Sequence, residues 1–279
     1  MINLVKKISI RADNDLKISA DLYNSSGKKG PLIIFTHGFK GFKDWGGFPY
    51  LMDKLSKAGF CTCSYNFTHN GVDNDKPLDF SRLDLFAKNT FSREIEELDN
   101  VINHFYENGD TYNIDKTRIA LIGHSRGGGI SILKAAEDKR VKCLITLAAV
   151  STFMRYGEKT LELWRKQGYL EIENTRTKQM MRLNLSLLED LEKNSYKLDI
   201  ETAISKIHIP VLLIHGKEDL SVKYTEAETL YGNSDKSFSE LFLLENTGHT
   251  FGVVHPFNGT TDAFENVIEK MTGFLKDNL

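Results

Sequence analysis

Short apolar runs alternate with segments of helical periodicity along most of the chain. The runs contain five to eight residues, and the run at 31–36 is apolar on both faces, as a buried parallel strand is. They lie at residues 31–36, 60–67, 118–122, 141–147, 209–214 and 238–244. Helical spacing of apolar residues is found at 51–58, 95–105, 130–136, 222–231 and 264–274. This alternation predicts an α/β fold with a mostly parallel sheet, right-handed crossovers and helices on both faces.

The first part of the chain shows a different pattern. Residues 4–10 and 16–23 alternate apolar and polar side chains on either side of the turn-forming segment 12–15. Strict alternation around such a turn predicts an antiparallel hairpin. We expect it at the edge of the sheet.

Two segments do not fit the alternation, and the first of them, residues 151–205, contains no strand candidate. Residues 151–205 are rich in Glu, Lys, Arg, Leu and Met, and apolar side chains recur there at helical spacing, at Met180, Leu183, Leu187, Leu188 and Leu191. This segment, here called the insertion, is predicted to be a mostly helical cap with its own apolar core, inserted into a single domain that spans residues 1–279. The polar, Asp-rich segment 68–89 receives no assignment.

A candidate nucleophile follows one of the apolar runs. The run at 118–122 ends in Gly123-His124-Ser125-Arg126-Gly127, and a helical pattern begins directly after it. Strand, G-x-S-x-G turn and helix in this order are typical of a nucleophile elbow, whose tight turn excludes side chains at the two glycines. Ser125 could instead be an ordinary helix-capping serine, but the strand–turn–helix context favours catalysis.

A base and an acid follow two later strands. A serine hydroxyl needs a base at hydrogen-bond distance, and an imidazole held by a carboxylate can serve. His249 comes after the run at 238–244 and Asp219 after the run at 209–214. Because parallel strands present their carboxyl ends at one sheet edge, these residues should meet Ser125 there. The alternatives are His69 and His255 for the base, and Glu218 and Glu245 for the acid.

The order of nucleophile, acid and histidine, with His37-Gly38-Phe39 after the third strand, resembles that of the α/β-hydrolases. The resemblance covers nearly the whole chain, and the small esterases and peptidase-like serine hydrolases look most similar, including those that act on short acyl or hydroxycinnamoyl esters. It implies that Ser125 is the nucleophile, Asp219 the acid and His249 the base. It further implies that the backbone N–H groups of Phe39 and Arg126 form the oxyanion hole.

The substrate-binding residues are less defined. Residues 37–48, here called the aromatic loop, contain Phe39, Phe42 and Trp45, which either line a pocket or pack internally. His124 and Trp164 are further candidates for substrate contact, with Tyr169 as a weaker one. His37 is expected to hold the loop through a hydrogen bond. The Arg126 guanidinium either binds a substrate carboxylate or pairs with a surface acid.

Composition limits the classes of partner. Lys and Arg number 36 and Asp and Glu 38, giving a net charge of −2, which offers no reason to expect nucleic acid or a membrane as partner and favours a small neutral substrate. No metal-binding or nucleotide-binding motif is present, so we expect no cofactor and no metal. The three cysteines and the lack of a signal-peptide pattern predict a cytoplasmic protein with reduced thiols.

The sequence therefore predicts a cytoplasmic serine hydrolase that cleaves carboxylic esters of small to medium size, with aromatic acyl groups included, through an acyl-enzyme on Ser125. Hydrolysis of small peptides or amides is the alternative activity. A non-catalytic binding protein on the same fold is the alternative from another class, although such a protein has no reason to retain three triad residues in order. A homodimer is compatible with the sequence, which does not fix the oligomeric state.

Overall fold

The computed structural model describes residues 6–12, 16–24, 26–73 and 75–279. Its strands are β1 (Lys6–Arg11), β2 (Lys17–Tyr23), β3 (Gly30–Thr36), β4 (Cys61–Asn66), β5 (Val72–Asp73), β6 (Lys76–Phe80), β7 (Ile114–His124), β8 (Val141–Leu147), β9 (Tyr169–Glu173), β10 (Met180–Asn184), β11 (Val211–Gly216) and β12 (Ser239–Leu244). Its helices are α1 (Phe48–Lys57), α2 (Leu83–Phe86), α3 (Phe91–Asn108), α4 (Arg126–Glu137), α5 (Glu158–Gln167), α6 (Leu185–Lys193), α7 (Ile200–Ile204), α8 (Tyr224–Asn233) and α9 (Asp262–Asn278).

The central sheet has eight strands in the order β1-β2-β4-β3-β7-β8-β11-β12. The strands from β4 to β12 in this order run parallel, whereas β1 pairs antiparallel with β2, and β2 with β4. The predicted α/β fold and its edge hairpin are thus confirmed. Of the predicted hairpin, residues 4 and 5 and the turn at 13–15 lie outside the described residues.

Helices cover both faces of this sheet, and side chains of the central strands alternate between two apolar cores, as β3 shows. In β3, Ile33 and Phe35 belong to the core that includes residues of α1 and α9, whereas Leu32 and Ile34 belong to the core on the α3 and α4 side. All four side chains are fully buried. A strand buried on both faces reads as a continuous apolar run, which is why the sequence located these strands.

The insertion contains an antiparallel hairpin as well as helices. Strands β9 and β10 pair from Met180↔Glu173 to Asn184↔Tyr169, so the prediction that this segment has no strand is wrong. The expected helical stripe from Met180 to Leu191 divides at Asn184, because Met181 and Leu183 are buried while Met180 and Arg182 are exposed, a period of two. Only the part from Leu185 is helical. Residues 169–184 are called the insertion hairpin below.

The segment 68–89, which received no assignment, forms a small structure of its own. Strands β5 and β6 pair antiparallel, and the short helix α2 follows them. Phe80 and Phe86 from this segment join the larger apolar core, where Phe86 stacks against Phe39 of the aromatic loop at 5.6 Å between ring centroids. The segment therefore supports the loop that follows β3.

Candidate active site

Ser125 occupies a strained turn between the end of β7 and the start of α4. Its backbone angles are φ 57° and ψ −120°, a conformation that only glycine adopts readily. The Ser125 N–H donates to the Leu147 carbonyl oxygen at 2.8 Å, which ties the turn to the end of β8. The flanking glycines are equally constrained: a Cβ added to Gly123 would lie 2.3 Å from the Gly127 carbonyl oxygen.

We expect Gly127→Ala to lower the free energy of unfolding by about 3 kcal/mol or more, because its methyl group would lie 2.3 Å from the Thr36 carbonyl oxygen. The matched control is Gly273→Ala in α9, where an added Cβ meets nothing within 4 Å. That substitution should raise the free energy of unfolding by about 0.5–1 kcal/mol. Denaturant unfolding of both variants tests the expectation, and equal effects at the two glycines would show that the elbow is not tightly packed.

Asp219 and His249 are brought together at the carboxyl edge of the sheet. Asp219 follows β11, His249 follows β12, and the His249 Nδ1–H donates to Asp219 Oδ2 at 2.7 Å. The second carboxylate oxygen, Oδ1, accepts the backbone N–H groups of Ser221 and Val222 at 2.8 and 2.9 Å. With Nδ1 protonated, the neutral His249 ring keeps Nε2 as a proton acceptor.

The environment keeps Asp219 ionised. Burial raises the pKa of its carboxyl group, but hydrogen bonds from His215 and His249 lower it by more, so the pKa lies below its usual range. His215 Nε2–H donates to the Val222 carbonyl oxygen at 2.9 Å and also reaches Asp219 Oδ2 at 3.2 Å. Its side chain is fully buried, and it fixes the orientation of the carboxylate.

His124 lies between the serine turn and the histidine loop. Its Nε2–H donates to the His249 carbonyl oxygen at 3.0 Å, and the two imidazole rings lie 4.7 Å apart. Burial, together with the nearby His249, lowers the pKa of His124 to about 3, so the ring stays neutral near pH 7. His124 thus positions the backbone of His249.

Ser125 and His249 line the same cavity. Within the described part of the chain, the Ser125 hydroxyl forms no hydrogen bond with His249 Nε2 or with any other acceptor. Catalytic hydrogen bonds are often long in ligand-free sites and tighten when substrate is bound. The structure therefore places the three predicted triad residues at one site and joins two of them directly.

The two predicted oxyanion donors also lie at this cavity. The aromatic loop packs closely on the serine turn, since a Cβ added to Gly38 would be 2.9 Å from Ser125 Cβ. Among the described residues, neither the Phe39 nor the Arg126 backbone N–H has an acceptor. His37 fixes the loop by donating from Nδ1 to the Gly38 carbonyl oxygen at 2.9 Å, while Nε2 accepts from the Phe67 N–H at 3.4 Å.

The cavity measures about 530 Å³ and is lined from both the sheet edge and the insertion. That volume falls in the range typical of small-molecule sites. Of the predicted substrate-binding residues, Trp45 and His124 line it. Phe42 and Trp164 do not: both are fully buried, Phe42 against Phe80 and His255, and Trp164 against Tyr156. Their large apolar surfaces are used in internal packing instead.

The Arg126 side chain pairs with a buried acid, so the predicted pairing with a surface acid needs correction. Its Nη1 donates to Glu94 Oε1 at 3.3 Å, and the two side chains are only 9% and 4% exposed. The guanidinium also lies over the rings of Phe39 and Phe91, at 4.1 and 4.8 Å from their centroids. Burial raises the pKa of Glu94, although Arg126 and Asn89 act to lower it.

The alternative bases and acids are placed elsewhere. His69 and His255 are absent from the described lining of the cavity, and His255 instead accepts the Gly46 N–H at 2.9 Å. Glu218 is exposed, and Glu245 pairs with Lys217 at the surface.

Several lining residues have no signal in the sequence. Phe91 and Phe153 stack on each other at 4.2 Å between ring centroids, and Tyr156, Arg155 and Arg176 extend the wall from the insertion. They come from helices and turns distant in the chain, and only the packing of the insertion on the sheet brings them together.

The described residues contain no group of three or more side chains able to hold a metal. In the same residues, no helix has both the length and the apolar character of a membrane span.

This fold, with the serine turn, the acid and the histidine at successive strand ends, is that of the α/β-hydrolases. The profile of the family described as BD-FAE matches residues 20–233 of the 279-residue chain. The chain belongs to this family.

Individual relatives are more distant. An Escherichia coli protein described as an uncharacterized 31.7 kDa protein in the traX-finO intergenic region is 31% identical over 121 residues, which is 43% of this chain and only 38% of the relative. The structure of the DcsB complex with its substrate analogue is 18% identical, with a TM-score of 0.76 over 98% of this chain and 99% of that one. Est1E from Butyrivibrio proteoclasticus is also 18% identical, with a TM-score of 0.70 over the same shares. These two structures show the fold alone.

Proposed function

We propose that the protein is a serine hydrolase that cleaves carboxylic esters through an acyl-enzyme on Ser125. One observation carries the proposal: His249, held by Asp219 at 2.7 Å, shares a cavity with a serine in a strained turn. In the first step His249 Nε2 takes the Ser125 proton while Oγ attacks the ester carbonyl, and the N–H groups of Phe39 and Arg126 stabilise the oxyanion. The alcohol leaves with that proton, and water activated by His249 then releases the acid.

The cavity supports esters of small to medium size. The cavity has a volume of about 530 Å³, and its walls include the aromatic rings of Phe39, Phe91, Phe153 and Trp45. Est1E, a structural neighbour, has also been solved with ferulic acid bound. An aromatic acyl group is therefore one candidate for the substrate, and hydrolysis of small amides is the alternative reaction of the same site.

A panel of esters tests this proposal. The panel contains para-nitrophenyl esters of increasing acyl length, one hydroxycinnamoyl ester and one aminoacyl arylamide. We expect turnover of the esters by the wild-type protein, with a decline once the acyl chain exceeds the cavity, and slower turnover of the arylamide. Faster hydrolysis of the arylamide would favour the amidase alternative. If the protein hydrolysed none of the esters in the panel, the proposal for esters of this size would be contradicted.

A further inference from the structure

The cavity lining carries positive charge although the chain as a whole does not. Among the described residues that line it, Lys40, Arg126, Arg155 and Arg176 are basic and none is acidic. The chain has a net charge of −2, so this excess is local to the cavity. The expectation of a neutral substrate, drawn from net charge alone, takes no account of it.

Two of the four cations are neutralised by carboxylates. Arg126 pairs with Glu94, as described above. Arg155 Nη1 donates to Glu226 Oε2 at 2.6 Å, and its Nη2 donates to the Ser221 carbonyl oxygen at 3.1 Å. Through these ion pairs the two arginines bind α3 and α8 to the walls of the cavity.

The other two cations, Lys40 and Arg176, form no ion pair within the described part of the chain. Lys40 Nζ contacts the Glu173 carbonyl oxygen at 3.4 Å, which brings it to the insertion hairpin that carries Arg176. Burial lowers the pKa of Lys40, because the half-buried ammonium has lost hydration without gaining a carboxylate. An anion in the cavity would supply the missing partner.

The backbone at Lys40 is also unfavourable for a lysine. Residues 38–41 form a turn in which the Gly41 N–H donates to the Gly38 carbonyl oxygen at 3.0 Å, and Lys40 occupies its third position with φ 54°. Glycine or asparagine is favoured at such a position. Lys40 nevertheless stands there, directly after the candidate oxyanion donor Phe39, and lines the cavity without a carboxylate partner among the described residues.

We propose that Lys40 and Arg176 form a subsite for a carboxylate on the substrate, so that the protein prefers esters carrying a negative charge. This inference rests on the proposed esterase function and names its substrate class. The carboxylate could belong to the acyl group or to the alcohol, and the same two cations would recognise it in either case.

Paired substrates test the preference. The acyl pair is the para-nitrophenyl monoester of adipic acid and its neutral methyl ester. The alcohol pair is the butanoate of para-hydroxybenzoic acid and that of its methyl ester. In the pair that matches the natural substrate, we expect kcat/KM to be about fivefold higher for the anionic member, mainly through KM. Raising ionic strength from about 0.1 to 1 M shortens the Debye length from about 10 to 3 Å and should reduce this ratio.

Substitutions then assign the preference to these residues. Lys40→Gln and Arg176→Gln should each lower the anionic-to-neutral ratio about twofold, and the double variant should bring it close to one. The matched control is Lys178→Gln. Lys178 lies two residues after Arg176 and carries the same charge, but its side chain pairs with Glu173 and does not line the cavity. This substitution should leave the ratio unchanged. Because the ratio compares two esters on one protein, a general loss of folded protein cancels.

The outcomes separate the two proposals. Equal kcat/KM for both members of both pairs, or a ratio insensitive to Lys40→Gln and Arg176→Gln, would overturn the carboxylate subsite and leave the esterase proposal intact. If none of the four esters were hydrolysed, the esterase proposal itself would be contradicted.

Discussion

Replacing Ser125 with alanine is expected to lower kcat for the best ester of the panel on the order of 10⁶-fold. The substitution removes the oxygen that would form the acyl-enzyme and leaves the base, the acid and the oxyanion donors in place. Steady-state kinetics with a high enzyme concentration measures the loss, and circular dichroism checks that the fold is retained. A loss below about tenfold would show that Ser125 is not the nucleophile.

Glycine at the same position separates catalysis from backbone strain. Ser125 is held at φ 57° and ψ −120°, which costs a residue with a side chain about 1–3 kcal/mol and glycine almost nothing. Ser125→Gly should therefore be as inactive as Ser125→Ala, yet more stable to denaturant by about 1 kcal/mol or more. If Ser125→Gly were less stable than Ser125→Ala, the strain would not be a property of the native turn.

Asp219→Asn is the second substitution with a large expected effect, a loss on the order of 10⁴-fold in kcat. The asparagine carbonyl can still accept the N–H groups of Ser221 and Val222. Its amide nitrogen, however, would donate to His249 Nδ1 and so favour the tautomer protonated at Nε2. That tautomer cannot accept the serine proton.

Glu218→Gln is the control for this substitution. It changes the neighbouring carboxylate in the same way, but Glu218 is exposed and absent from the cavity lining within the described residues. We expect its kcat to stay within about twofold of the wild-type value. Similar losses at both positions would contradict the choice of Asp219 as the acid.

The sequence was most informative about strands that are buried on both faces of the sheet. Strands such as β3 and β11 are buried on both faces and read as continuous apolar runs, so their positions could be predicted. The candidate site followed from chain order, because Ser125, Asp219 and His249 each lie in a turn or loop after a strand that ends at the same sheet edge.

It was least informative where a pairing partner decides the structure. In β10, which pairs with β9, Met181 and Leu183 are buried in the larger apolar core, but the same apolar positions also fit a helical repeat. Strand β9 has no fully buried residue and lacks an apolar run. Similarly, the Arg126–Glu94 pair joins residues 32 positions apart and depends on α3 packing against α4. Nothing in the local sequence reports the direction of a side chain such as Phe42 or Trp164.

Covalent labelling tests the central claim most directly. The protein is treated with a fluorophosphonate, digested, and mapped by mass spectrometry. We expect one phosphonyl group on the peptide that contains Ser125, and none after His249→Ala, because labelling needs the activated hydroxyl. Ser221 also lines the cavity and is the internal control for simple access. A label on Ser221, or equal labelling of wild type and His249→Ala, would contradict the assignment of Ser125 and His249 as nucleophile and base.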